Sequence, residues 1–276
     1  MIRQIYKAHE PVAGNSGTKY HPGVVYREIF GPAGDVCPEF IFRRYSIRPG
    51  AEIPYRTVSQ CVSGYVVEGA GIYSYGRYSV ELEKQSAFFF PANVPHRIEN
   101  KGAKALEFVA VYGCEESGPE ARIEKPADAS EVRACGVVNK FLQRWAMHES
   151  TEPWQSVEPS KGMGVKIRYL FDEVRGGCRE MSTGIGEISP GFHYTRHSHV
   201  QAEIYFITSG RGKVYVDDTS HLMDEGDSLY IGSSIVHGAD CIGTEPFSIY
   251  YVYGSELIGQ EETWTPAETA VIRSGT

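Results

Sequence analysis

Gly191-Phe-His-Tyr-Thr-Arg-His197-Ser-His199-Val-Gln-Ala-Glu203 is the stretch on which the reading of this sequence turns. It runs on through six residues to Gly210, and a further histidine follows in Gly226-Asp-Ser-Leu-Tyr-Ile-Gly-Ser-Ser-Ile-Val-His237. In an extended strand successive side chains alternate faces, so His197 and His199 point the same way. Glu203 keeps that parity, and a tight bend after His199 returns it to the same centre. His237 must arrive from elsewhere in a sheet. Three imidazoles and one carboxylate suit Fe(II), Mn(II), Ni(II), Cu(II) or Zn(II), whereas Ca(II) and Mg(II) want all-oxygen shells. One His-x-His alone would read as surface histidines in a polar turn. The added glutamate, the later histidine and the glycines at set intervals argue against that.

These residues resemble the cupins, whose pattern is G(X)5HXH(X)3E(X)6G followed by G(X)5PXG(X)2H(X)3N. The first half matches at every specified position, Gly191, His197, His199, Glu203 and Gly210. The second half keeps Gly226 and His237 and departs at Gly232 for Pro, Ser234 for Gly and Cys241 for Asn. None of the three is a metal ligand in the family, so the departures touch the turn and leave the ligand set intact. The resemblance implies a small antiparallel β-barrel, a double-stranded β-helix or jelly roll, with the metal inside.

Subtracting 141 from the numbers of this copy aligns it with the first half of the chain without a gap, from Val24/Val165 to Gly113/Gly254. Gly50 matches Gly191, Gly69 matches Gly210, His96 matches His237 and Cys37 matches Cys178. An internal repeat of this length outranks other fold signals. The chain therefore resembles a bicupin. In the first copy Arg56 stands for His197, Val58 for His199 and Val62 for Glu203, leaving His96 alone. Arginine keeps its proton and valine has no donor atom, so that barrel is expected to be metal-free. The expectation is all-β: a cupin barrel over 1–118, a connector over 119–160, and a metal-binding barrel over 161–276. A short helix is expected near 129–147, capped by Asp128 and Glu131, with an apolar stripe of Val138, Phe141, Leu142 and Trp145.

The chain has 276 residues, enough for two cores, and 41% of them are hydrophobic. A net charge of −8 argues against sequence-independent nucleic-acid binding. No run of 18 apolar residues points to a membrane span. The N-terminus has no signal-like apolar stretch and the six cysteines have no short paired spacing. A cytoplasmic chain with reduced thiols is expected. Val200, Ala202, Ile204 and Phe206 form an apolar outer face on the metal-bearing strand. That face must be covered by the other barrel or by a second subunit, and a homodimer is the expectation.

Beyond the four ligands, Tyr205 shares the parity of Glu203 and His193 that of His197. Tyr205 reads equally as a proton-transfer phenol or a barrel-filling aromatic, and His193 as a pocket-mouth group or a plain rim residue. Cys241 reads as space-filling, and His221 as solvated in a hairpin. One divalent transition metal per chain and a small-molecule substrate are expected. The bicupin resemblance implies a dioxygenase acting on a small oxygenated substrate. A metal-dependent isomerase, lyase or decarboxylase of a keto or sugar acid is the alternative, and a non-catalytic ligand-binding or regulatory cupin the rival of another class.

Overall fold

A computed structural model of the chain describes residues 5–8, 18–32, 37–75, 78–113, 121–122, 146–157, 162–173, 178, 180–254 and 265–266. Among them the structure is strand and turn, with a short 3-10 turn at Glu149–Thr151. The helix expected near 129–147 lies mostly outside the described residues. Its last two positions, Ala146 and Met147, sit in a strand, Ala146–His148.

The strands form antiparallel sheets of eleven, seven and five strands. The seven- and five-stranded sheets make the first barrel and the eleven-stranded sheet makes the second. The difference comes from one turn. In the first copy Phe40–Ile47 and Glu52–Thr57 are separate strands, whereas their equivalents run unbroken as Met181–Ser198. The motif glycines are needed for their backbone. Gly50 and Gly191 have φ of 75° and 77°, and Gly69 and Gly210 have φ of 85° and 77°. Ser234, the departure from the family's glycine, still adopts φ 62°, as does its counterpart Asn93. The left-handed turn survives the substitution, at the steric cost that a Cβ carries there.

The two barrels exchange strands. Ile5–Tyr6 pairs with Ser228–Ile231 of the second barrel, and Ala146–His148 pairs with Ser86–Phe90 of the first. These pairs are 141 residues apart in register, Ile5 with Leu229 and Ala146 with Phe88. Numerical boundaries at 118 and 161 therefore do not follow the sheets: each barrel borrows an edge strand from the segment ahead of the other.

The barrels meet face to face over aromatic pairs with the same pseudo-symmetry. Phe30 packs on Tyr230 at 6.4 Å and Phe89 on Phe171 at 5.7 Å between ring centroids. Tyr65 stacks on Tyr250 at 5.1 Å, and Phe42 meets Phe206 at 6.4 Å. Ala202, Ile204 and Phe206 are buried here, so the chain's own first barrel covers the expected apolar face and removes the reason given for a dimer. Val200 is 54% exposed, because the strand starts only at Glu203 and Val200 lies in the preceding bend. Phe206→Ala would leave a void in this seam and is expected to cost about 3–5 kcal/mol in urea unfolding. A loss below ~1 kcal/mol would mean that the seam repacks or contributes little.

The two interiors differ. Gly186 lines an open centre in the second barrel, where Tyr45 fills the first and stacks on Phe108 at 4.9 Å. Tyr205 projects from the position that Gly64 holds in the first copy. A Cβ on Gly64 would sit 2.1 Å from the Phe88 ring, so Phe88 occupies that space instead. Aromatic rings close the first barrel, and Gly186 leaves the centre of the second open.

Candidate metal centre

The strand Met181–Ser198 delivers His197, the bend after it delivers His199, Glu203 opens the strand Glu203–Ser209, and His237 opens His237–Cys241. His197 and His237 are direct cross-strand partners. The ligand nitrogens of His197, His199 and His237 lie within 4.8 Å of one another. Glu203 Oε2 is 3.6 Å from His199 Nε2 and 3.3 Å from His237 Nε2. All four side chains are buried.

The proton positions follow from the backbone. Each Nδ1 lies 2.8 Å from a carbonyl oxygen, that of Thr195 for His197, Gln201 for His199 and Ile235 for His237. A carbonyl only accepts, so each Nδ1 carries the proton and each Nε2 presents a lone pair. Burial, and next the neighbouring His237, push the His197 imidazole down to about 3, which keeps it neutral. Burial alone would raise Glu203, but a proton or cation shared with the Nε2 atoms of His199 and His237 more than offsets it and holds the carboxyl down at about 2. His237 Nε2 is buried without a hydrogen-bond donor. Three nitrogen lone pairs and a carboxylate converging on one point repel one another unless a cation sits among them. The donor set fits one divalent transition metal ion, with the backbone carbonyls fixing the tautomer of each ligand from behind.

The centre forms the floor of a cavity of about 370 Å³. Val165, Ile167, Ile188 and Ile249 make its apolar wall, and Tyr169, Tyr194, Tyr205, Tyr251 and Tyr253 put rings around it. Asp172 and Glu173 add acidic groups to the lining. Tyr205 is buried, its ring centroid 6.3 Å from that of His237, and burial followed by the charge of Glu203 holds its hydroxyl protonated.

His193 does not reach this cavity: it is exposed, and its backbone pairs with Met163 and Asp240. The parity count from His197 fails because the register slips between Tyr194 and His197. An irregularity of this kind flips the face of everything beyond it, so Tyr194 lines the cavity instead. The sequence reading did not single out Tyr169, Tyr194, Tyr251, Tyr253, Asp172 or Glu173. Tyr251 and Tyr253 alternate with Ile249 along one strand and were visible as a period-two face. Cys241 is buried, and its thiol donates to the Glu245 carbonyl at 3.2 Å. The equivalent Asn100 Nδ2 donates to the Lys104 carbonyl at 2.8 Å, so the substituted cysteine keeps one strand of the family's turn bonding. His221 lies beside Thr219 Oγ1 at 3.0 Å in the expected hairpin.

In the first barrel Arg56 and His96 pair across strands as His197 and His237 do. Arg56 donates to Tyr112 Oη at 3.3 Å, and Tyr112 Oη lies 2.6 Å from Tyr45 Oη. His96 is stacked on Phe90 at 3.8 Å, and burial, then the charge of Arg56, press it down to about 3. A buried neutral histidine has a sign in pH. Above its unfolded value, near 6.5, it contributes nothing. Below that the unfolded chain takes a proton which the folded chain refuses, so stability falls from pH 6.5 down to about 3. At pH 5 the loss amounts to ~2 kcal/mol. His96→Gln should flatten the fall in unfolding free energy between pH 7 and pH 5 by about that amount. Equal slopes in variant and wild type would show that His96 titrates normally.

The cupin-domain family model matches residues 43–112 and 184–253, two segments offset by the same 141 as the repeat. Dimethylsulfoniopropionate lyase DddW of Ruegeria pomeroyi is 32% identical over 91 residues. The match takes in 33% of this chain and 59% of the relative, so the chain spans well under two thirds of that protein's length. Among solved structures, a variant of Bacillus subtilis oxalate decarboxylase OxdC aligns with a TM-score of 0.69 at 14% identity, covering 95% of this chain and 80% of that one. AerE from Microcystis aeruginosa aligns with a TM-score of 0.64 at 14% identity, covering 87% and 96%. At these identities the structural likeness carries the two-barrel fold.

Proposed function

This chain belongs to the cupin family in two-barrel form, and from that premise we propose that it is a metal-dependent lyase cleaving a small carboxylate with a cationic end. The carrying observation is the cavity over a three-histidine, one-glutamate centre, with acidic and aromatic groups in its lining. The relatives support a metal-dependent enzyme, and they favour the lyase or decarboxylase alternative over the dioxygenase implied by resemblance alone. The relative at 32% identity is named a dimethylsulfoniopropionate lyase, and the aligned decarboxylase also breaks a bond of a small carboxylate.

When bound, the ion supplies a Lewis acid for a carboxylate or enolate oxygen; manganese, named for the centres of the structural neighbour, is the first ion to test. Val165, Ile167, Ile188 and Ile249 present an apolar wall to the substrate. The tyrosine rings and the Asp172–Glu173 pair suit an onium group, which aromatic faces and carboxylates both attract. Tyr205 stands two residues beyond Glu203 on the same strand and is the proton-transfer group within the cavity. In an elimination the proton on the carbon beside the carboxylate passes to the oxygen of Tyr205 in its phenolate form, the freed pair makes the carbon–carbon double bond, and the carbon–sulfur bond breaks with its pair leaving on sulfur.

The test is turnover of the manganese-loaded protein under nitrogen, with dimethylsulfoniopropionate and oxalate in parallel. Dimethyl sulfide and acrylate from the first substrate support the lyase, and formate and carbon dioxide from the second would move the assignment to decarboxylation. Oxygen consumption tied to turnover, with none under nitrogen, would return the dioxygenase reading.

A further inference from the structure

The seam between the barrels holds a group of side chains that the histidine centre does not use. Cys61 of the first barrel and Cys178 and Glu180 of the second bring two sulfurs and a carboxylate oxygen within 4.8 Å of one another. Both thiols are buried and neither is in a disulfide, while Glu180 reaches the surface. The Cys178 thiol points at Glu180 Oε2, 3.9 Å away. The backbone locks the cluster in place: Gly113 N donates to the Cys61 carbonyl at 3.1 Å, and Cys178 N donates to that of Asp172 at 3.1 Å. A Cβ on Gly113 would lie 3.5 Å from Glu180 Cβ, so the carboxylate stem lies directly against the first barrel.

The pseudo-twofold makes this end of the seam stand out. At the other end Cys37, Glu39 and Ala202 occupy the equivalent positions, and Gly254 N donates to the Ala202 carbonyl at 2.9 Å as Gly113 does to Cys61. There the carboxylate of Glu39 takes a hydrogen bond from Tyr230 Oη at 2.6 Å. At the Cys61 end Phe89, which has no hydroxyl, stands in place of Tyr230, and a second thiol stands in place of the Ala202 methyl. The same fold thus closes one end with a phenol and converges three acidic donors at the other.

We propose that Cys61, Cys178 and Glu180 form a second metal site, for a zinc-class divalent ion that ties the two barrels together. Two sulfurs and one oxygen select a soft-to-borderline ion over magnesium or calcium. Three protein donors leave a fourth tetrahedral position for water, on the side where Glu180 opens to solvent. Binding of such an ion releases the two thiol protons, since only the thiolate is a ligand. The site is chemically separate from the histidine centre, and its ion would raise the count per chain from one to two. It does not depend on which reaction the second barrel performs.

The probe is Co(II) added to the metal-stripped full chain. Sulfur-to-cobalt charge transfer absorbs in the near ultraviolet, and the histidine–glutamate centre has no sulfur to produce it. The expected result is a sulfur-to-cobalt band that saturates by two equivalents, one of them taken by the histidine centre without a band, and that is lost in Cys61→Ser and in Cys178→Ser. Glu180→Gln should keep the band and raise the Kd for Co(II) by about tenfold or more. Where a serine variant fails to fold, the intact chain gives a second reading. Zn(II) should shield Cys61 and Cys178, and no other described cysteine, from iodoacetamide, as mapped by peptide mass. The proposal is overturned by the absence of the band at saturating cobalt, by its survival in both serine variants, or by alkylation that zinc does not slow. Recovery of Cys61 and Cys178 as a disulfide from protein purified without oxidant would also overturn it, and make the clamp covalent.

Discussion

His197→Ala is expected to release the ion from the second barrel and cut turnover by more than about a thousandfold, while the first barrel stays folded. Removing one of four ligands leaves His199, His237 and Glu203 around an open coordination position, and it breaks the cross-strand contact of His197 with His237. The lost Lewis acid is worth ~4 kcal/mol or more of charge stabilisation, which is about a thousandfold in rate. The fold should survive because the cluster that spans the first barrel and the seam contains none of the four ligands. Elemental analysis should show one equivalent fewer of manganese than wild type after loading with that ion. Near-wild-type occupancy by the variant would place the ion elsewhere, and unfolding of both barrels would show that the ligands contribute to the fold as well as to the chemistry.

The contrast between the copies explains how much of this was legible in advance. The ligand set could be read because each donor sits at a motif position fixed by strand alternation and glycine turns. That the first copy lacks this ligand set is written in its residues, since Arg56, Val58 and Val62 stand at the ligand positions and have no metal chemistry. The burial of Ala202, Ile204 and Phe206 followed from an apolar outer face, but what covers it did not, since residue types name no partner. Strand exchange by Ile5–Tyr6 and Ala146–His148 was hidden, because two- and three-residue edge strands have no period of their own. The misplacement of His193 has a single cause: counting by twos assumes an unbroken ladder, and the register slips between Tyr194 and His197. The open centre was also hidden, since it depends on Gly186 facing a space that Tyr45 fills in the other copy. The paired thiols at the seam could not be read from spacing at all, because Cys61 and Cys178 come together only through the packing of two domains.

Tyr205→Phe is expected to lower kcat by about 10²–10⁴ with metal content unchanged and with the remaining turnover still independent of oxygen. The substitution removes one oxygen atom and leaves the ring, so the packing of Tyr205 among Ile207, Leu229 and Ile231 is preserved. The Tyr205 side chain is buried beside an apolar wall, where a solvent molecule does not easily take the place of a lost proton carrier. Burial and the negative charge of Glu203 keep the phenol protonated. Offsetting that charge with a cation at the ligand cluster lowers the cost of the phenolate, so Tyr205 is able to accept a proton as phenolate in elimination or donate one as phenol after decarboxylation. The position, two residues from a metal ligand on the same face of one strand, is what gives this tyrosine the role. Tyr251 and Tyr253 share the cavity from the neighbouring strand, and Tyr251→Phe is the control that should change KM more than kcat. If Tyr205→Phe keeps full turnover while Tyr251→Phe loses it, the proton passes through the neighbouring strand. If both variants keep turnover and the reaction stops under nitrogen, no phenol carries the chemistry and the oxygenase reading takes its place.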